Sequence, residues 1–321
     1  MKPRTIYFTV ILITSVTPTD GQGLATRYWT LSPLDSGEGT QIPWIDKGTS
    51  RYQQVYSADM YRTYGLPPEG AFLNSIAFTS SCSAQRGWLL TNFDLRASTT
   101  PRSPDALSAI FQENVGPDEM GILTNRAEVV ISTNGDCGQH PPVGGILERS
   151  FFYNPSKGNL LLDFRNNGSR YFTFPGGPSP REGRLQVGTQ TGDWVSRAYA
   201  RSVGATRAEL VDTVGIYTEM IWVPLPRLRA RNLTNEVELR WETHPREFRL
   251  QTSDSLEQPG AWRDFVAPVD ENSDWRTIRI PAADLKKSAL FRLFWNTPQP
   301  GVGDLQLPAV AIPAEEVPPV K

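Results

Sequence analysis

Thr206–Pro224, TRAELVDTVGIYTEMIWVP, decides the fold class of this chain. Val211, Val214, Ile216, Tyr217, Met220 and Trp222 are β-forming side chains, and no other stretch reads so clearly as a long strand. Asp212, Thr213 and Thr218-Glu219 interrupt the two-residue alternation, which places a bend or bulge near Gly215. We read the stretch as the closing strand of a large sandwich. Pro224 and Pro226 end it, because proline fixes φ and removes a ladder donor.

Working upstream, further strands fall at residues 72–79 (FLNSIAFT), 88–99 (WLLTNFDLRAST), 122–133, 146–153, 159–166 (NLLLDFRN) and 171–174, with turns at Asn134-Gly135, Pro155-Ser156, Asn167-Gly168 and Gly176-Gly177. Residues 183–201 read as two short strands. One helix is predicted over residues 104–116, PDALSAIFQENVG, with Ser103 as cap, Pro104 in its first turn and Leu107, Ile110, Phe111 and Val115 on its apolar side. The tyrosine-rich residues 51–65 read as a sheet edge or loop. Parallel α/β architecture is disfavoured because the series of crossover helices it needs is missing from the pattern.

Downstream, NEVELRWE (235–242) puts Val237, Leu239 and Trp241 on one face and Glu236, Glu238, Arg240 and Glu242 on the other. FRLQTSD, WRDFVAP, WRTIRIPA and ALFRLFWN continue the rhythm, and their core should include Phe248, Leu250, Trp262, Phe265, Ile278, Ile280, Leu290, Leu293 and one or both of Phe291 and Trp295. The expected fold is therefore all-β: a large antiparallel jelly-roll-like sandwich followed by a small immunoglobulin-like or fibronectin-like sandwich. In residue numbers the reading is a signal peptide at 1–23, an extended N-terminal arm at 24–50, the large sandwich at 51–225, a linker at 226–231, the small sandwich at 232–297 and a Pro-rich tail at 298–321.

The 321 residues suit two domains, and 39% hydrophobic with nine Trp, fourteen Phe and ten Tyr permits a sizeable aromatic core. Lys2 and Arg4 before the apolar run from Thr5 to Val16, with small residues at Gly21, Gly23 and Ala25, have the form of an export signal. The run is short for an uncleaved membrane anchor, and no later stretch is long enough to span as a helix, so no stable membrane insertion is expected after cleavage. Removing residues 1–23 takes Lys2, Arg4 and Asp20 and moves the formal charge from -2 to -3, with basic and acidic residues interspersed. Nucleic acid is a poor partner for such a surface. The expected location is secreted or at the cell surface, where Cys82 and Cys137 can pair as a disulfide that closes a long loop.

Chemistry is sparse. His140 and His244 are the only histidines, each beside a proline in a polar turn, with no HExxH, no zinc-type Cys/His spacing and no GxSxG. Asp94, Asp105, Glu113, Asp118, Glu119 and Asp163 supply carboxylates for a polysaccharide hydrolase or lyase only if two of them meet in space. QENVGPDEM offers Glu113, Asn114, Asp118 and Glu119 as oxygen ligands for a structural calcium, without EF-hand spacing; no other cofactor is indicated. Trp29, Trp44, Tyr61, Tyr64, Trp88 and Trp194 do not all fall on periodic core positions, and they are the candidates for stacking on a sugar.

SADMYRTYGLPPEGAFLNSIAF (57–78), STTPRSPDALSAIFQENVGPD (98–118), NLLLDFRN and residues 248–295 resemble segments of uncharacterised exported β-sandwich proteins of Verrucomicrobia-like or planctomycete-like bacteria, which carry small C-terminal β modules. The resemblance implies a surface or secreted module and supplies no catalytic motif. The functional expectation is an exported noncatalytic protein that binds glycan or another extracellular surface such as a cell-surface protein. The alternatives are structural matrix or cell-surface assembly, and the hydrolase or lyase.

Overall fold

The computed structural model describes residues 28–31, 48–78, 86–90, 92–126, 129–132, 143–173, 187–188, 191–244, 247–255, 261–272, 274–284 and 288–313. Every strand pair among them is antiparallel, and the architecture is all-β and sandwich-like. No helix among the described residues is long and apolar enough to cross a membrane.

Two sheets enclose the main core. One has four strands in the order β1 (Tyr28–Leu31), β15 (Thr218–Pro224), β3 (Ala71–Phe78) and β8 (Val143–Tyr153). The other has six: β13 (Leu210–Asp212), β12 (Val195–Ala200), β2 (Ser50–Tyr56), β9 (Asn159–Asn166), β5 (Phe93–Thr100) and β6 (Met120–Arg126). Alternation along the strands turns Tyr52, Tyr56, Leu160, Leu162 and Phe164 of the six-stranded sheet toward Leu73, Ile76, Phe151, Tyr153, Met220 and Trp222 of the four-stranded one. Smaller sheets join β10 (Ser169–Thr173) to β4 (Arg86–Leu90) and β7 (Val129–Ser132), and β11 (Val187–Gly188) to β14 (Gly215–Ile216).

The stretch 206–224 is three strands rather than one. It leaves the six-stranded sheet after β13, pairs briefly as β14 and enters the four-stranded sheet as β15. Gly215 opens β14 at this crossing, between breaks at Thr213–Val214 and Tyr217; a Cβ there would lie 2.3 Å from Val195 Cγ2, so only glycine lets the chain pass. Gln54 fastens the crossing: its Nε2 donates to the Ile216 carbonyl at 2.9 Å and its Oε1 accepts from the Ile216 N–H at 2.7 Å.

Two local expectations change. Residues 104–116 do not form a helix: Asp105 has φ 62, a turn closes from Ala106 N–H to Ser103 O, and only a 3₁₀ turn at Phe111–Asn114 is helical. The segment instead lays Leu107 and Phe111 over Val55, Leu161 and Ala198 on the outer face of the six-stranded sheet. A helix forms where a loop was expected, α1 (Ala58–Thr63), capped by Ser57 Oγ accepting from Asp59 N–H, with an Asp59–Arg62 ion pair and Gly65 at φ 80 after its end.

The C-terminal part is a second pair of sheets: β16 (Arg229–Asn232), β17 (Glu236–Glu242), β21 (Trp275–Pro281) and β20 (Asp270–Glu271) in one, and β19 (Arg263–Asp264), β18 (Arg249–Ser253), β22 (Ser288–Trp295) and β23 (Leu305–Gln306) in the other, where β24 (Val310–Pro313) also pairs with β22. Strands thus occupy part of the stretch read as a linker and part of the stretch read as a tail. Leu307 and Ile312 are buried, which gives those segments an apolar reason to pair. The arm also contributes: β1 pairs with β15, Tyr28 opposite Trp222.

The two sandwiches share apolar packing. Phe72, Phe152 and Val223 point away from the main core and pack with Phe248, Leu293 and Trp295 of the second. The Phe72 ring meets Trp295 at 4.9 Å and His244 at 4.9 Å, both edge-on. Gln299 locks the seam, accepting from Phe152 N–H at 2.8 Å and donating to Phe152 O at 2.9 Å.

Candidate functional site

Tyr64 and Trp194 come together. Tyr64 caps the end of α1, its N–H donating to the Met60 carbonyl at 3.0 Å. Trp194 sits in the turn that leads into β12, and three hydrogen bonds fix that turn. Asp105 Oδ2 accepts from Gly192 N–H at 2.9 Å, Asp193 Oδ1 accepts from Val195 N–H at 3.0 Å, and the Trp194 carbonyl accepts from Ser57 N–H at 2.8 Å. The two rings are half-buried, 5.9 Å apart and at 82°. Perpendicular rings do not make a flat platform: the edge of one packs toward the face of the other, and we term the corner between them the notch.

Polar groups accompany the notch. The Tyr217 phenol is pushed up to about 12, mainly by burial and further by the Glu219 and Tyr64 oxygens near it. Burial also raises Tyr64 and the Glu219 carboxyl. The phenols are therefore neutral donors across the physiological range. Apolar ring faces with the Tyr64 hydroxyl among them are the kind of groups a sugar ring can meet.

Tyr61 is a correction: it is fully buried, with Tyr153 at 5.1 Å and Trp222 at 5.2 Å against its ring and its hydroxyl donating to Met220 Sδ at 3.2 Å, so it serves the core. Trp29 lies on β1 opposite Ile221, and Trp88 lies on β4 opposite Tyr171 and Ile131. Trp44, Cys82, Cys137 and His140 lie outside the described residues.

The four oxygen donors proposed for calcium are spent in separate contacts. Asn114, fully buried, donates to Gln53 Oε1 and Ser108 O and accepts from Ser108 N–H. Glu113 binds Arg102 and Ser108 Oγ, and Asp118 accepts from Thr99 N–H at 2.6 Å and from Gln299. Glu119 lies between Arg96 and Arg165. No group of three or more His, Cys, Asp or Glu among the described residues is arranged to hold a metal ion. Of the carboxylates weighed for hydrolysis, Asp163 and Glu119 share one face of the six-stranded sheet, but Arg165 bridges them and Arg51 binds Asp163 at 2.7 Å. That arrangement is an ion-pair network rather than a free acid and base.

Sequence reasoning missed the aromatics on the outer faces of the second sandwich. Trp275 is covered by Arg240 at 3.8 Å and Arg229 at 5.2 Å; Trp262, expected in the core, is half-exposed with Arg292 4.1 Å from its centroid. Arg240 sits across from Thr277, diagonal to Trp275, and Arg292 sits two strands from Trp262, so the pairing becomes visible only once the strand register is known. A cleft of about 460 Å³ also opens beside Phe265, Ile280 and Phe291, rimmed by Asp254, Arg263 and Arg279. No family model matches the chain, and no curated protein matches it significantly.

Proposed function

We propose that this is an exported, noncatalytic protein that binds a glycan in the Tyr64–Trp194 notch. We further read the large sandwich as jelly-roll-like and the small one as immunoglobulin-like or fibronectin-like. The observation that carries the functional reading is the pair itself: two half-exposed rings at 82°, held by a capped helix and a triply bonded turn. A pyranose would lay its apolar face on one ring and its edge against the other, with the Tyr64 phenol meeting its hydroxyls. Pre-fixed rings reduce the ordering cost of binding.

The test is a glycan array probed with the chain lacking residues 1–23 and with its Trp194→Ala and Tyr64→Ala variants. Retention of neutral oligosaccharides by the parent and their loss in both variants supports the reading. A parent chain that retains no neutral glycan, or variants that retain them equally, overturns it.

A further inference from the structure

Arg292 stands at the centre of the outer face of the sheet formed by β19, β18, β22 and β23. Alternation along β22 sends Phe291 and Leu293 into the core and leaves Arg292 and Phe294 half-exposed outside. The guanidinium is held on all sides by neutral groups. Its Nε and Nη2 donate to Gln251 Oε1 at 3.0 and 2.9 Å, its Nη1 donates to Gln306 Oε1 at 2.7 Å, and the Trp262 and Phe294 rings lie at 4.1 and 5.9 Å.

Among the described residues, charge around Arg292 is not balanced. Asp264 is the nearby carboxylate, and it is already committed: Arg249 binds one oxygen at 2.7 Å and Gln251 Nε2 the other at 3.0 Å. Arg292 itself has no carboxylate partner among the described residues, and burial lowers its pKa, as expected for a cation lacking a counter-ion. It nevertheless stays charged at neutral pH. A guanidinium carries five N–H bonds, and three are used here, leaving two for a ligand.

We propose that Arg292 anchors a second site, specific for an acidic polysaccharide, whose carboxylate or sulfate accepts the two remaining N–H bonds while the half-exposed Trp262 indole covers the adjoining sugar ring. Amide and ring contacts hold the fork in place before the ligand arrives, which favours an oxyanion that can accept two N–H bonds over a point charge. This site lies on a different sheet from the notch and does not depend on it.

The experiment is calorimetric titration of the chain lacking residues 1–23 with polygalacturonate, dextran sulfate and neutral dextran, with melting temperature recorded for every variant. Binding of one or both anionic polymers is expected, and any binding of neutral dextran should be abolished by Trp194→Ala and untouched by Arg292→Gln; which anionic polymer binds assigns carboxylate or sulfate. Arg292→Gln should weaken binding by about tenfold or more. Arg292→Lys, which keeps the charge and loses the fork, should also weaken it, and Trp262→Ala should do so without a charge change. Should Arg292→Gln fail to fold, the other two variants decide. Trp194→Ala should leave anionic binding unchanged, separating this site from the notch. Failure of both anionic polymers to bind, or full affinity in Arg292→Lys and Trp262→Ala, overturns the proposal.

Discussion

The two sandwiches use tryptophan in opposite ways. In the first, Trp222 is fully buried between Tyr61 and Tyr153, at 5.2 and 5.7 Å, and works as core volume. In the second, Trp262 and Trp275 lie on outer faces under arginine guanidiniums. The difference teaches that an indole's place is set by the face that strand alternation gives it and by what covers it there, not by its hydrophobicity alone. Trp222, with Leu73 and Tyr28 across from it, is on the core side; Trp275, diagonal to Arg240, is on the outer side, where the guanidinium covers its π face at the water boundary.

Trp222→Ala should give the largest effect, a loss of about 3–5 kcal/mol in chemical denaturation, because a rigid aromatic core cannot close over the void. An effect under about 1 kcal/mol would erase the distinction between the sandwiches.

Raising pH should separate them next. Tyr52, Tyr56, Tyr61 and Tyr153 are buried and held well above the ordinary phenol value, with Tyr217 pushed up to about 12. Because each folded-state pKa lies above the unfolded value of about 10, their contribution is intact below pH 10 and is lost as pH rises beyond it. Stability should fall steeply above pH 10, and absorbance at the phenolate band should show these tyrosines ionising only with unfolding. Free titration in the native state would contradict their burial.

A smaller loss, about 1–3 kcal/mol, is expected for Gln299→Ala, which strands the Phe152 N–H and carbonyl at the seam. Hydrogen exchange at Phe152 should accelerate in that variant, and unchanged protection would argue that the seam is held by the rings alone. The smallest effect belongs to Trp275→Ala, about 0.5–1 kcal/mol from the lost guanidinium contacts. A loss as large as that of Trp222→Ala would place Trp275 in the core.

Much of the strand content was legible because NLLLDFRN and NEVELRWE alternate cleanly, and the break near Gly215 was visible as interrupted alternation. Sheet membership was not. The sheet switch after β13 depends on Val195 and Gln54, which are distant in sequence. The expected helix at 104–116 had the right periodicity, but Asn114 satisfies the Ser108 backbone with its own amide and Leu107 and Phe111 gain burial against Val55 and Leu161. Tyr61 was offered as a ligand because it falls on no periodic core position in the sequence; α1 turns it inward. Of the aromatic candidates, Tyr64 and Trp194 meet only through a turn fastened by Asp105, some ninety residues away in the chain, which no local pattern encodes.

Hydroxyl-radical footprinting with residue-level mass spectrometry tests the partition of the aromatics most directly. Trp222, Tyr52, Tyr56 and Tyr61 should resist oxidation in the native protein, while Tyr64, Trp194, Trp262 and Trp275 are oxidised readily. Oxidation of Trp222 as fast as that of Trp262 would contradict the account.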